Sequence, residues 1–83
     1  MDNPKYIVID THWAGPAIFI FPCFVPHNIA AERLLSKGDK LVSAGFIQFG
    51  SHGGPRCYGK STSLKLVSLP EDNSIAARQL GYE

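Results

Sequence analysis

The chain has 83 residues, of which 45% are hydrophobic, 11% aromatic and 18% charged. This length allows one domain, spanning 1–83, with a small core, because a chain this short buries only about 60–65% of its unfolded surface. The charged share lies below the roughly 25% that is usual in soluble proteins. The formal net charge of +1 provides no strong positive field, which disfavours nucleic acid and anionic membranes as partners.

The start of the chain and its cysteines bear on the compartment. MDNPKYIVID lacks the charged-then-apolar pattern of a secretion signal. The longest apolar run, 17–25, is about half as long as a membrane-spanning helix, and Pro22 interrupts it. Cys23 and Cys57 form neither a C-x-x-C pair nor a dense disulfide framework. We therefore expect a cytoplasmic protein with no metal site and no cofactor.

The first elements along the chain predict a β-hairpin. Residues 6–10 (YIVID) are β-branched or apolar up to the final Asp, which indicates a strand. Residues 12–16 (HWAGP) contain a Gly-Pro break that is typical of a turn. Residues 17–21 (AIFIF) are apolar at every position, which indicates a strand covered on both faces. We expect the two strands to pair at the centre of a sheet.

A short amphipathic helix is predicted after the hairpin. HNIAAERLLSKG (27–38) places its alanines and leucines on one face at helical spacing. His27 or Asn28 is suited to cap the start of this helix. Gly38 is suited to end it in a left-handed conformation.

The second half of the chain predicts two further strands and a second helix. Residues 41–49 read as a strand, in which Gly45 indicates a bulge or a close approach of backbone. The second half of 57–69 alternates leucine with polar residues, as a half-buried strand does. Residues 71–80 have an acidic first turn and are followed by Gly81, which predicts a helix.

These elements give the order β-β-α-β-β-α and an α+β fold. Short connections favour a four-stranded, mostly antiparallel sheet with both helices on one face. The other face would then be bare, and the apolar strand 17–21 would need cover from another molecule. We therefore expect a homodimer or an obligate partner.

Residues 54–61 read GPRCYGKS, which matches the phosphate-binding pattern G-x-x-x-x-G-K-S. That chemistry requires a helix starting at the lysine, whereas STSLKLVSLP has strand alternation and a proline. A nucleoside triphosphatase is therefore the least favoured interpretation. Two others remain open: a turn-rich hairpin loop, or a loop that binds phosphate, a nucleotide or another anion without hydrolysis. The residues predicted to bind such an anion are Gly53, Gly54, Arg56, Tyr58, Gly59, Lys60 and Ser61.

His12 and Trp13 lie in the predicted turn of the first hairpin. Trp13 has two interpretations there: a core side chain, or an exposed anchor that stacks on a base or binds a partner. Both interpretations stay open at this point, and His12–Trp13 is therefore retained as a candidate partner-binding or stacking element.

Three segments, FPCFVPHNIAAERLL, VSAGFIQFG and CYGKSTSLKLVSLPEDNSIAARQLGY, carry a resemblance to known sequences. Together they resemble a group of short, uncharacterised proteins encoded in phages and prophages, over roughly residues 21–82. The shared pattern is a VSAGF strand, then CYG with lysine or arginine, S-x-S-L, and PED. The group brings no activity to assign to residues. It implies an accessory protein that acts by binding in the host cytoplasm.

Size, low charge and this resemblance together predict a small non-enzymatic protein that binds a host protein, such as a component of a host defence system. The alternative is a protein that binds, and thereby sequesters, a nucleotide or another phosphate-containing ligand through residues 53–61. An enzyme, whether a nucleoside triphosphatase or a thiol enzyme, is less favoured than either.

Overall fold

The computed structural model describes residues 3–50 and 53–82 of the chain. The main strands are β1 (Lys5–Thr11), β2 (Gly15–Phe21), β3 (Lys40–Phe49) and β4 (Pro55–Tyr58). They form one antiparallel sheet in the order β2-β1-β3-β4. The remaining elements are α1 (His27–Leu34), the short strands β5 (Lys60–Ser61) and β6 (Leu66–Val67), and α2 (Glu71–Leu80). The predicted α+β class and the four-stranded antiparallel sheet are confirmed.

The first hairpin forms as predicted, but β2 lies at an edge of the sheet and β1 at its centre. The residues from Tyr6 to Ile9 are completely buried because β1 has a strand on each side and cover on both faces. The connecting turn is held by Thr11, whose Oγ1 accepts a hydrogen bond from Ala14 N at 3.0 Å and donates one to Gly15 O at 2.7 Å. Gly15 has φ +75°, a value that suits glycine in this turn.

The predicted special role of Gly45 in β3 is confirmed as a close approach of backbone. A Cβ atom at Gly45 would overlap the carbonyl oxygen of Tyr58 on the neighbouring strand β4. The bulge of β3 lies elsewhere: the pairing with β1 shifts between Val8 and Ile9, and Val42 is the extra residue. Only glycine allows β3 and β4 to come this close.

The fourth strand of the sheet is not the one that the sequence predicted. Residues 55–58 pair with β3, whereas the predicted strand in the second half of 57–69 begins as a turn and is extended only in β6, which pairs with β5 and not with the four-stranded sheet. The turn spans 62–65, and Lys65 adopts φ +56° within it. Leu64 and Leu66 pack against the same core cluster. Their alternation with polar residues therefore reflects a turn and the short strand β6 folded over the sheet, not a strand of the four-stranded sheet itself.

The two helices lie on opposite faces of the sheet, so the prediction that both share one face is wrong. Ala76 of α2 packs with Tyr6 and Val8, whereas Ala31 of α1 packs with Ile7 and Ile9. Successive side chains of a strand point to opposite faces. Because both sets of β1 side chains are apolar, each face requires its own cover.

The α2 helix ends at the glycine that the sequence predicts, whereas α1 does not begin with the side-chain cap that the sequence predicts. Gly81 ends α2 with φ +83°, and Tyr82 N donates to Ala77 O at 2.8 Å. Pro26 is the residue preceding α1, and no side chain caps that helix. The predicted cap residue His27 is instead buried as the first helical residue. Gly38 lies in a separate turn, after α1 has ended.

The prediction of a homodimer rests on one bare face of the sheet, but neither face of the sheet is bare. The α1 helix and the segment around Leu64 and Leu66 cover one face, and α2 covers the other. Ile18 of β2 is only 2% exposed within the single chain. Homodimerisation therefore stays a prediction without that support. Neither described helix has the length and apolar character needed to cross a membrane.

Candidate functional site

The predicted anion-binding segment, 53–61, does not form one loop. Its middle is strand β4, Gly59 separates that strand from β5, and only Gly53 and Gly54 precede it outside regular structure. Lys60 begins a strand and not a helix. A phosphate-binding loop requires a helix whose amino end faces the phosphates. That arrangement is not formed at GPRCYGKS.

Gly53, Gly54 and Arg56 lie together in one cavity of about 420 Å³ beside the β3–β4 connection. Asn73 of α2 also lines it, and its Oδ1 accepts a hydrogen bond from Cys57 N at 2.6 Å. Arg56 is the one cation among the described residues that line this cavity. Residues 51–52, including His52, lie outside the described residues.

Tyr58, Gly59 and Lys60 lie in a different cavity of about 490 Å³, which we call the Tyr58 basin. A neighbouring cavity of about 400 Å³, bounded by Asn3 and Cys23, shares the side chains of Phe46 and Tyr58 with it. The structure thus separates the predicted residues into two places and adds new ones to the second. The basin is lined by Lys5, His27, Phe46, Tyr58, Gly59, Lys60, Thr62 and Ser63.

Two stacked aromatic rings form a wall of the basin. Phe46 and Tyr58 are cross-strand partners, with ring centroids 5.8 Å apart and planes at 26°. Tyr58 is 40% exposed, and Asn3 Nδ2 donates to its hydroxyl at 2.7 Å, which fixes the ring. Gly59 has φ +80°, and a Cβ there would lie 3.1 Å from the Phe46 ring. The glycine therefore permits both the turn and the position of the ring.

Two lysines bring positive charge to the same basin. Lys5 comes from β1 and Lys60 from β5. The Nζ of Lys5 donates to Val25 O at 3.2 Å, which leaves two of its protons for another acceptor. Within the described part of the chain, neither ammonium group pairs with a carboxylate. Two cations that no described carboxylate neutralises, beside one cavity, favour an anionic ligand.

His27 forms the buried side of the basin and is only 5% exposed. Its Nε2 lies 2.8 Å from Gly45 O, and its ring packs edge-on against Phe21 and Phe46. Burial lowers the pKa of His27, and the charge of Lys5 lowers it further. The neutral ring donates from Nε2 to the carbonyl, which leaves Nδ1 as an acceptor.

Ser61, another predicted site residue, supports the basin and does not face it. It is 1% exposed, and its Oγ accepts a hydrogen bond from Leu64 N at 3.3 Å. This bond holds the turn after β5, as serine hydroxyls often do. The hydroxyl groups that line the basin belong to Thr62 and Ser63.

His12 and Trp13 are far from the Tyr58 basin along the sheet. The basin lies at the Lys5 end of β1, and the turn with Trp13 follows the other end of that strand. Trp13 is 91% exposed, so of its two interpretations the exposed anchor agrees with the structure and the core side chain does not. His12 packs edge-on against Trp13, and its backbone N–H donates to Asp39 Oδ1 at 3.0 Å.

Sequence reasoning missed five lining residues of the basin: Lys5, His27, Phe46, Thr62 and Ser63. Lys5 faces Phe46 because β1 pairs with β3 in a particular register. No local sequence motif indicates that register.

Within residues 3–50 and 53–82, no three His, Cys, Asp or Glu side chains cluster as metal ligands would.

Cys57 is the cysteine within the predicted segment, and it packs against the core cluster that contains Tyr6. Burial raises the pKa of its thiol to about 11, and the nearby Asp72 carboxylate contributes to the rise. Such a group is a thiol and not a thiolate near neutral pH, which does not suit a nucleophile.

Comparison of the chain with protein-family models, curated proteins and solved structures finds no match, so its function is inferred from the chemistry of the site.

Proposed function

We propose that this chain is a non-enzymatic binding protein whose ligand is a small phosphate-containing molecule with an aromatic ring, such as a nucleotide. The observation that carries this proposal is one cavity in which a stacked pair of rings stands beside two lysines that pair with no carboxylate among residues 3–50 and 53–82. Nucleotides combine a flat ring with an anion and so match both parts of the Tyr58 basin.

In this proposal the base of the ligand stacks on the exposed side of Tyr58. Stacking of a base on an aromatic side chain contributes about 1–3 kcal/mol in proteins that bind single strands. The phosphate accepts charge-assisted hydrogen bonds from Lys5 and Lys60. Thr62 and Ser63 line the same cavity and supply hydroxyl donors.

Binding without hydrolysis agrees with the backbone at Lys60. A triphosphatase surrounds the phosphates with loop amides and the start of a helix. Here the residues before and after Gly59 are in strands, and the amide of Cys57 already donates to Asn73. Side chains, and not a backbone cradle, would therefore hold the phosphate.

A thermal-shift series tests this proposal with inorganic phosphate, nucleoside mono-, di- and triphosphates, and cyclic dinucleotides as probes. A ligand at a hundred times its Kd adds about 2.7 kcal/mol, which raises the Tm of so small a domain by several degrees. We expect at least one nucleotide to raise the Tm more than phosphate does, because only the nucleotide can stack.

Matched variants locate the site by calorimetric titration with the nucleotide that gives the largest shift. Lys60→Ala should weaken binding about tenfold or more, since a hydrogen bond to a charged group contributes about 1.5–3 kcal/mol. Lys37→Ala removes the same charge from an exposed turn outside the basin and should leave the Kd unchanged. The proposal fails if no probe shifts the Tm, or if both variants behave alike.

A second candidate function, binding of a host protein in the cytoplasm, is favoured by two exposed aromatic side chains. Trp13 is 91% exposed and Phe24 is 75% exposed, both in turns. Large exposed aromatic residues are frequent anchors of protein interfaces. This candidate also agrees with the resemblance to phage-encoded proteins.

Affinity capture from bacterial lysate tests the second candidate with Trp13→Ala and Phe24→Ala beside the unaltered chain. A specific host partner should be captured by the unaltered chain and lost from at least one variant, while Lys37→Ala retains it. If every captured protein also binds both variants equally, these aromatic residues do not form an interface.

A further inference from the structure

A side chain of α2 occupies the open edge of strand β2. The backbone N–H of Ile18 donates to Gln79 Oε1 at 2.8 Å, and Gln79 Nε2 donates to Ile18 O at 2.8 Å. These are the two bonds that a neighbouring strand would make with that residue. The amide of Gln79 therefore takes the place of a strand at this edge.

The other outward-facing groups of β2 follow from the position of Ile18. Backbone groups alternate between the two sides of a strand, so those of Pro16 and Ile20 also face outward. Proline has no N–H to donate. With Ile18 occupied by Gln79, Ile20 keeps the one outward N–H of β2 that has no partner within the described part of the chain.

The opposite edge of the sheet uses the same arrangement. The N–H of Cys57 in β4 donates to Asn73 Oδ1 at 2.6 Å, and Pro55 precedes it by two residues. Both amide side chains belong to α2, which packs against β2 and against β4. At each edge of the sheet, one proline and one amide side chain of α2 thus leave few outward-facing backbone N–H groups available for pairing with another strand.

The sequence of β2 shows why such a cap matters. GPAIFIF contains no charged residue, and exposed apolar edge strands tend to pair with other chains. Antiparallel pairing of β2 with itself around Ile18 is geometrically complete. Ile18 would bond reciprocally with Ile18 of the second copy, and each Ile20 N–H would meet the opposing Pro16 carbonyl.

We propose that Gln79 keeps a self-complementary pairing edge closed, and that β2 is the docking surface for β2 of a second copy once this cap is removed. The occupant is a second copy of the chain because strand β2 contains no charged residue and is complementary to itself in the antiparallel direction. The proposal is independent of the Tyr58 basin, which lies on the β3–β4 side.

Sedimentation velocity tests the proposal on the full chain. Gln79→Leu replaces the amide with an apolar side chain and removes both hydrogen bonds with Ile18. We expect this variant to show a concentration-dependent increase in mass over the unaltered chain. Adding Ile20→Pro should restore the smaller mass, because it removes the remaining outward donor without touching the bonds to β1.

Two outcomes would overturn the proposal: Gln79→Leu keeps the mass of the unaltered chain, or Ile20→Pro fails to reverse the increase. The second would point to another surface or another occupant of the edge. Gln48→Leu on β3 is the matched control and should leave the mass unchanged.

Amide hydrogen exchange in the unaltered chain tests the cap even if Gln79→Leu does not fold. The Ile18 amide should be protected by Gln79, and the Ile20 amide should exchange much faster. Equal exchange rates at Ile18 and Ile20 would show that Gln79 does not close this edge.

Discussion

The Asp72 carboxylate lies 2.5 Å from the phenol oxygen of Tyr6, although 66 positions separate the two residues in the chain. Both side chains are completely buried. Asp72 also accepts hydrogen bonds from Ser43 Oγ at 2.8 Å and from Leu69 N at 2.9 Å. One carboxylate at the start of α2 therefore joins that helix to β1 and β3 through neutral donors.

We expect Asp72→Ala to lower the free energy of unfolding by about 3 kcal/mol or more. Each buried donor left without an acceptor costs about 1–3 kcal/mol, and this change leaves the donors of Ser43 and Leu69 without one, whereas Tyr6 keeps Ser68 Oγ at 2.8 Å as an acceptor. Urea unfolding measures the effect. Glu71→Ala, on the exposed neighbouring residue, should cost about 1 kcal/mol or less. Equal losses in the two variants would contradict a structural role for Asp72.

The Tyr6 phenol also predicts how stability depends on alkaline pH. Burial raises the pKa of Tyr6 above its ordinary value of 10.0, and the hydrogen bond to Asp72 raises it further. The folded protein therefore holds this proton at a pH where the unfolded chain has lost it. The corresponding stability is fully present below pH 10 and falls above it, by up to about 1.4 kcal/mol per pH unit.

The thiol of Cys57 also makes the free energy of unfolding fall as the pH rises, between its ordinary pKa of 9.0 and its raised pKa of about 11. In a Cys57→Ala background, we expect Tyr6→Phe to flatten the decline of the unfolding free energy above pH 10. Urea unfolding at pH 8, 10 and 11 measures it. Tyr82→Phe is the control at an exposed tyrosine, and an equal flattening there would exclude Tyr6 as the cause.

The sequence predicted the elements whose signals are local. The α2 helix was placed at residues 71–80, as observed, because its acidic first turn and Gly81 are adjacent in sequence. The first hairpin was also found, since the glycine and proline at positions 15 and 16 interrupt two apolar runs. Such signals need no knowledge of distant partners.

The parts that the sequence did not predict depend on contacts between distant residues. Strand β4 has four residues, and its pairing with β3 determines its conformation. The Tyr58 basin requires Lys5 to face Phe46, which is set by the register between β1 and β3. Short connections predict both helices on one face, but they do not determine which element covers each face of an apolar strand.

The close approach of β3 and β4 predicts that Gly45→Ala destabilises the fold. The added methyl group would overlap the carbonyl of Tyr58, and backbone cannot move aside as a flexible side chain can. Such overpacking typically costs about 1–3 kcal/mol. Gly50→Ala is the matched control, because a Cβ there meets no atom within 4 Å. Urea midpoints of the two variants compare them, and equal midpoints would contradict the close approach.

Protonation of His27 should destabilise the fold below neutral pH. Burial lowers its pKa below the ordinary value of 6.5, so the unfolded chain takes up a proton that the folded chain does not. The stability that this difference provides is present above pH 6.5. It is lost as the pH falls through the folded pKa, by up to about 1.4 kcal/mol per pH unit.

The variant His27→Gln separates this effect from that of other groups, because glutamine keeps a donor for Gly45 O but does not titrate. We expect it to be less stable than the unaltered chain at pH 8, where the contacts with Phe21 and Phe46 are lost. The gap should narrow as the pH falls from 7 to 5. His12→Gln, at an exposed histidine, is the matched control. A gap that stays constant from pH 8 to pH 5 would mean that His27 titrates alike in the folded and unfolded chains.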